Sequence, residues 1–392
     1  MAYAYLGALV VYGRFQYEYR RRLFEEAAGL VASAAGASPP PALVRLFERA
    51  SLRTLERGFS EAPLRDDARQ MCAVTLLQRA GAGRIEARAG GRGRRWRRIS
   101  ALRILALARA DSSWSLLERA LGDRDREVVR GAAGILGEID DRRSAALLVK
   151  ALRQGRPARS YVAVLLDGTS SDISDLVSPL LEEPIAAVRY WGAVLSGRFP
   201  GMPDLERRLA ALARDTDPGV RGAAIRSLAT AGFTSSLPAA LGALDDAVPF
   251  VRAHAARAAA RLGGTEVGAL MAAHLGDPEW LVRDAVKRVL ENLGPSVEGA
   301  LFAWLDAADE FAGNGAAEVL QNIGTFERLL AEEAQGPPDR QRLHRLEQLA
   351  SAGGLRVWGA AMAGLPDSTR EYLAARLVSL ERKAADDGGL LW

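Results

Sequence analysis

The sequence predicts an all-α chain, a right-handed α-solenoid of about seven helical hairpins with helical caps at both ends. The first observation behind this is a dipeptide that keeps returning, as Val129-Arg130, Val188-Arg189, Val220-Arg221, Val251-Arg252 and Val282-Arg283, with Arg97-Arg98 and Ala158-Arg159 in the same register. From Arg98 onward the steps are 32, 29, 30, 32, 31 and 31 residues. A near-constant period of this size marks stacked repeats, each unable to bury its apolar face alone. The second observation is what fills the period: a short apolar run, a turn with an acidic residue, and a second amphipathic run that begins around the Val-Arg.

The first helices of the pairs are read at 113–121, 144–152, 173–181, 204–213, 236–244, 266–275 and 297–305. Glu183, Asp215, Asp246 and Asp277 stand six residues before the repeated arginine, and Asp123 and Asp125 bracket that place in the first full repeat. Asp217-Pro218 reads as a helix N-cap followed by proline at the first helical position, where its missing N–H breaks no bond. The second helices align as Arg130-Gly-Ala-Ala-Gly-Ile-Leu, Arg221-Gly-Ala-Ala-Ile-Arg-Ser-Leu, Arg252-Ala-His-Ala-Ala-Arg-Ala-Ala and Arg283-Asp-Ala-Val-Lys-Arg-Val-Leu. Small residues after the arginine let helices approach, and Leu or Val further on fills the layer between repeats.

This combination of acid, turn, Val-Arg, small pair and Leu resembles the HEAT repeat, in the short bacterial form also found in phycobilin-lyase-like proteins. The resemblance covers about three-fifths of the chain. It implies a structural ladder in which Arg130, Arg189, Arg221, Arg252 and Arg283 meet turn acids such as Asp215, Asp246 and Asp277 of neighbouring repeats. It implies too that second helices line the concave side, where Tyr161, Tyr190, Trp191, Arg226, His254, Arg257 and Arg288 would form the partner-binding groove. The positions expected to face outward lie one, two, five and nine after the repeated arginine; the fifth column reads Ile135, Val164, Val194, Arg226, Arg257, Arg288, and the ninth holds Arg198 and Arg261.

Four regions are expected: 1–24, an apolar then arginine-rich start; 25–93, a helical cap and basic linker; 94–324, the solenoid; and 325–392, a helical C-terminal cap. Met1 to Gly13 is apolar and aromatic, and Arg14 and Arg20-Arg21-Arg22 follow it. Thirteen helical residues reach only ~20 Å against a hydrocarbon core of ~30 Å, so the run does not span a bilayer as written. A signal peptide would carry its basic residues before the apolar run. The pattern fits the C-terminal half of a membrane anchor with a positive cytoplasmic flank, which sequence encoded upstream would complete. Within the cap, amphipathic helices are read at 42–57 and 66–79, with Cys72 a buried, unreactive thiol in the second. Gly81 to Arg98 is rich in glycine and arginine; up to residue 93 it reads as basic linker, and of two readings for Trp96 among its arginines, binding of nucleic acid or lipid phosphates and packing under the cap, the second is expected. After Gly294 the pattern decays; Asn314 takes the place of the next arginine, residues 335–338 are a linker, and helices are read at 339–350, 355–363 and 367–384.

Chemistry is scarce. His254, His274 and His344 lie in separate segments, the single cysteine excludes an internal disulfide, and the Gly-Gly-Arg-Gly run near residue 90 has neither the Lys nor the strand of a phosphate-binding loop. The formal net charge of +4 hides a split: residues 1–110 hold 20 basic and 9 acidic residues, the remainder 32 and 39. An anionic surface near the N-terminus follows if that charge is used. The layout resembles bacterial membrane-anchored HEAT proteins encoded beside a glycosyltransferase. That likeness implies a non-catalytic scaffold or adaptor, cytoplasmic and associated with the inner membrane, with another protein such as a membrane glycosyltransferase as partner and with no cofactor or metal. Two resemblances from other classes compete: HEAT-like alkylpurine DNA glycosylases, for which Trp191 and Arg226 would be the working residues, and bilin lyases.

Overall fold

The computed structural model describes residues 2–34, 38–305, 309–335, 339–349 and 371. These residues form helices and their connections, with no strand among them. The chain divides after Val177 into two compact units, each an all-α stack of helical hairpins.

Unit 1 begins with α1 (Ala2–Ala32), α2 (Pro41–Arg49), α3 (Leu52–Glu61) and α4 (Asp66–Ala80). The run expected as one helix over 42–57 is two, because Ala50 is extended and the Ser51 side chain accepts the Thr54 N–H to cap a new start. The C-terminal half of α1 packs onto these helices: Phe24 lies edge-on to Phe47 at 5.6 Å and its ring fills the space over Gly58. Arg20, expected in a positively charged flank, is buried and paired with Glu61 at 2.8 Å. Cys72 is fully buried, and burial pushes its thiol up to about 12.

The glycine- and arginine-rich stretch is not a linker. It forms α5 (Ala82–Gly90), which packs against α6 (Arg95–Leu107) by burying Ile85 and Ala89, so the first helix of this pair lies before the expected start of the array at residue 94. Trp96 departs from expectation too; it is 63% exposed, with the Arg95 guanidinium 5.6 Å from its ring centre. The unit continues through α7 (Ser113–Leu121), α8 (Arg126–Ile139), α9 (Arg142–Gln154), α10 (Arg159–Asp167) and α11 (Ser174–Val177). Asp125 caps α8 by accepting the Glu127 N–H, and Asp141 and Ser144 form a reciprocal capping box at the start of α9.

Unit 2 opens with a 3-10 turn, Ser178–Glu182, against α12 (Ala186–Ser196). Then come α13 (Pro203–Leu212), α14 (Pro218–Ala231), α15 (Leu237–Gly242), α16 (Pro249–Gly263), α17 (Gly268–Ala272), α18 (Trp280–Leu293), α19 (Glu298–Leu305), α20 (Glu310–Asn322), α21 (Thr325–Gln335) and α22 (Arg340–Leu349). The first helices here are short and flanked by 3-10 turns, at Ala243–Asp245, Gly264–Val267, Ala273–Gly276 and Gly294–Val297. The second helices α12, α14, α16, α18 and α20 pack side by side. Val188, Val220, Val251 and Val282, the valines of the repeated dipeptide, are buried at the start of each layer. Small residues set the spacing: a Cβ at Gly192 would sit 2.7 Å from the Leu180 Cβ. The helices expected at 355–363 and 367–384 fall outside the described residues, Glu371 apart.

Candidate partner-binding face

A repeated ion pair sets the register of the second helices. In unit 2, Arg189 donates through Nε and Nη2 to the two Asp215 oxygens at 2.7 and 2.9 Å, Arg221 to Asp246 at 2.6 and 2.8 Å, and Arg252 to Asp277 at 2.8 and 2.8 Å. The remaining Nη1 donates back to its own turn, from Arg189 to the Glu183 carbonyl, from Arg221 to that of Asp215 and from Arg252 to that of Asp246. Each carboxylate also accepts the backbone N–H two residues on, from Asp217, Val248 and Glu279. One fork thereby ties a second helix, its own turn and the next turn together. The Arg221 bond, opposed by burial, holds the Asp246 carboxyl below its ordinary value. Burial alone would raise Asp215 and Asp277, but the bonds from Arg189 and Arg252 and from the turn N–H groups leave both lowered.

The set is uneven at its ends. Arg283 keeps the carbonyl bonds, to Asp277 and Pro278, and lays its guanidinium 4.2 Å from the Phe311 ring centre. In unit 1, Arg98 pairs with Asp123. Arg130 has no carboxylate partner among the described residues and stacks instead on Tyr161, 5.1 Å from its ring centre.

The residues expected in one groove fall in both units, Tyr161 in unit 1 and the other six in unit 2. Tyr161 is half-buried, its hydroxyl above Gly134. Tyr190 and Trp191 are half-buried and meet edge to face at 5.0 Å on α12. His254 on α16 presses against Gly222 of α14, where a Cβ would come within 3.2 Å of its ring, and it lies 6.2 Å from Phe250. Burial, and then the charges of Arg226 and Arg257, lower His254 to about 4, so the imidazole is neutral at pH 7 and is not a cation. Arg226, Arg257 and Arg261 are exposed and without an acidic partner among the described residues. Arg288 is exposed but engaged with Asp284 at 3.2 Å on its own helix.

The fifth column is not uniform. Arg226, Arg257, Arg288 and Val164 face solvent, Val194 is half-buried, and Ile135 is fully buried within the layers formed by α6, α7 and α9 around α8. Arg198 lies against Phe199, 5.5 Å from the ring centre, rather than joining a stripe.

Sequence reasoning missed an aromatic row. Phe250, Trp280 and Phe311 occupy the first turns of α16, α18 and α20, 30 and 31 residues apart, with 36%, 66% and 57% of their surface exposed. Phe250, His254, Arg257 and Arg261 succeed one another at helical spacing, so on α16 the aromatic turn leads directly into the unpaired arginines. An exposed apolar edge beside unpaired guanidinium groups can grip an acidic surface that also offers apolar side chains. No group of three or more metal-ligating side chains occurs among the described residues.

Residues 205–291, the stretch that carries the Arg-Asp forks of α14 and α16, match the family model for HEAT repeats. The match supports a HEAT-repeat protein. No curated protein matches the chain. Among solved structures, the CpcE–CpcF complex of phycocyanin lyase from Nostoc sp. PCC7120 is similar at 20% identity over 61% of this chain and 94% of that one, with a TM-score of 0.33. An engineered protein is similar at 17% identity over 84% and 98%, TM-score 0.34. Kap121p bound to Pho4p is similar at 14% identity over 94% of this chain and 50% of that one, TM-score 0.47. Packed helix pairs continue outside the matched stretch, in α12, α19 and α20 of the same unit.

Proposed function

We propose that the chain is a non-catalytic scaffold that holds a partner protein along the second helices of unit 2. The observation that carries the reading is the aromatic row Phe250, Trp280 and Phe311 bordering Arg226, Arg257 and Arg261, large apolar groups and unpaired cations kept in solvent on a rigid stack. Exposed aromatics cost solubility, and on a surface otherwise rich in paired charge they mark contact. The partner segment is acidic, with apolar side chains to cover Trp280 and Phe311. Neutral His254 adds a hydrogen-bonding group between the two cations.

The finer reading concerns location. The apolar start and Arg14, Arg21 and Arg22 support attachment at the cytoplasmic face of the bacterial inner membrane, with a membrane glycosyltransferase as a fitting partner. No helix among the described residues is long and apolar enough to cross a membrane.

The test is retention of partners from the source organism on the purified chain, beside the variants Arg226→Glu plus Arg257→Glu and Trp280→Ala plus Phe311→Ala. The same polypeptide should be lost from both variants and kept by a Lys150→Glu control in unit 1. A polypeptide retained equally by all four proteins refutes the assignment of this face.

A further inference from the structure

The place where the ladder fails is itself informative. Counting forward from each ladder arginine, the acid it grips stands 25 residues on for Arg98, Arg221 and Arg252 and 26 on for Arg189. Counting the same way from Arg130 reaches Gly155 and Arg156. The carboxylate is absent and a cation stands beside its place. Gly155 also adopts φ +72°, the left-handed region where a side chain is disfavoured, and a Cβ there would lie 2.9 Å from the Arg159 guanidinium.

The consequence is a basic cleft wholly within unit 1. It has a volume of about 760 Å³, and Arg124, Arg126, Arg130 and Arg156 line it against one acid, Glu127. Arg156 Nη2 donates to the Asp123 carbonyl at 3.1 Å, which fixes that side chain at the wall. Arg124, Arg126 and Arg130 have no acidic partner among the described residues and are exposed. The floor is apolar, from Val129, Pro157 and Ala158. Ala158, in the lining, precedes the nine-residue α10 and gives it no side-chain cap.

The geometry points to a binding site for a diphosphate group in this cleft, with Arg130 as its central contact. The guanidinium fork that grips a carboxylate in the other repeats matches phosphate oxygens equally well, and four arginines against one glutamate leave three positive charges for the ligand to balance. A diphosphate carries about that charge on two adjacent oxyanion centres, where a single carboxylate would leave about two of the charges unmatched and a single phosphate about one. The volume fits free pyrophosphate or a nucleoside diphosphate, whose sugar and base would lie on the apolar floor.

Calorimetric titration of the full chain with sodium pyrophosphate and, separately, with ADP tests this, in about 50 mM salt so that screening does not mask the charges. Saturable binding with a dissociation constant below about 1 mM is expected for at least one of the two. Arg130→Gln should weaken it about tenfold or more, while Arg214→Gln, an exposed position in unit 2 outside both proposed sites, leaves it unchanged. Tighter binding of ADP assigns the ligand to the nucleotides, and equal binding to the diphosphate alone. Arg126→Gln, another exposed position, serves the same purpose if Arg130→Gln does not fold. Absence of saturable heat with both ligands, or equal affinity in the wild type and in the folded variant, overturns the proposal.

Discussion

The Arg221–Asp246 fork gives the sharpest test of what holds unit 2 together. Arg221→Gln removes two charge-assisted bonds to a carboxylate and one to the Asp215 carbonyl, at side chains only 16% and 10% exposed. A fully buried pair broken on one side costs about 3–5 kcal/mol, and an exposed pair about 0–1 kcal/mol. Asp246 keeps the Val248 N–H as a donor after the change, and water reaches the rest, so the cost falls between these limits at about 2–3 kcal/mol. In a cooperative unit of this size that lowers the thermal midpoint by about 4–12 °C. The assay is a cycle of Arg221→Gln, Asp246→Asn and both together, followed by urea and thermal unfolding. Asn can still accept the Val248 N–H, so the cycle isolates the fork, and a coupling of about 1.5–2.5 kcal/mol is expected. A coupling below about 0.5 kcal/mol would falsify the view that the fork, and not the valine seam alone, holds the turns in register. The sign with pH follows from lowered carboxyls: the stabilisation is complete above the unfolded aspartate value of about 3.9 and is lost as pH falls through the lower folded values. The Arg221→Gln variant should therefore lose less stability on acidification than the wild type.

Other expectations follow from single observations. Gly192→Ala places a Cβ 2.7 Å from Leu180, which the packed layer accommodates only by shifting; a loss of about 1–3 kcal/mol in urea unfolding is expected, and an unchanged midpoint contradicts the tight approach. Trp280→Ala should change stability by less than about 0.5 kcal/mol by the same measurement, because its side chain is 66% exposed. Cys72 should resist a thiol reagent at pH 8 in the folded chain and react on unfolding in urea; rapid reaction of the native protein would contradict its burial. His254 should remain neutral in an NMR titration down to about pH 5, and in the Arg226→Gln, Arg257→Gln variant its midpoint should rise toward the ordinary value as the two positive neighbours are removed.

The repeated arginine made the hairpin array legible because one side chain per period carries three separate bonds, and its spacing cannot drift without breaking them. The turn acids were legible for the same reason. Where a single composition signal stood in for geometry, the reading went astray. Residues 82–90 look like linker by glycine content, yet Ile85 and Ala89 at helical spacing find a buried face on α6. The break after Arg49 rests on Ser51 capping a new helix, a signal one residue wide inside an otherwise continuous apolar pattern. Counting from the arginine put Arg226 and Arg257 in solvent, where they are, but put Ile135 there as well, and its side chain is enclosed by helices on several sides. The aromatic row escaped because each repeat contributes only one such residue, and the three are not at an identical offset from the arginine: Phe250 stands two before Arg252, and Trp280 three before Arg283.

Because every complete fork reaches forward by nearly one period, the array is wired in one direction and each joint is the same. Excising residues 222–252 would bring Asp277 to the distance from Arg221 that Asp246 occupies now, and the clasp would close again. Around Arg130 an excision of the same length, residues 131–161, would bring Ala186 and Ala187 to the places of Gly155 and Arg156, and no clasp would form. Gain or loss of whole modules is thus tolerated in the C-terminal half of the array and not beside the basic cleft, so relatives of different length should differ by modules in the first place and agree in the second.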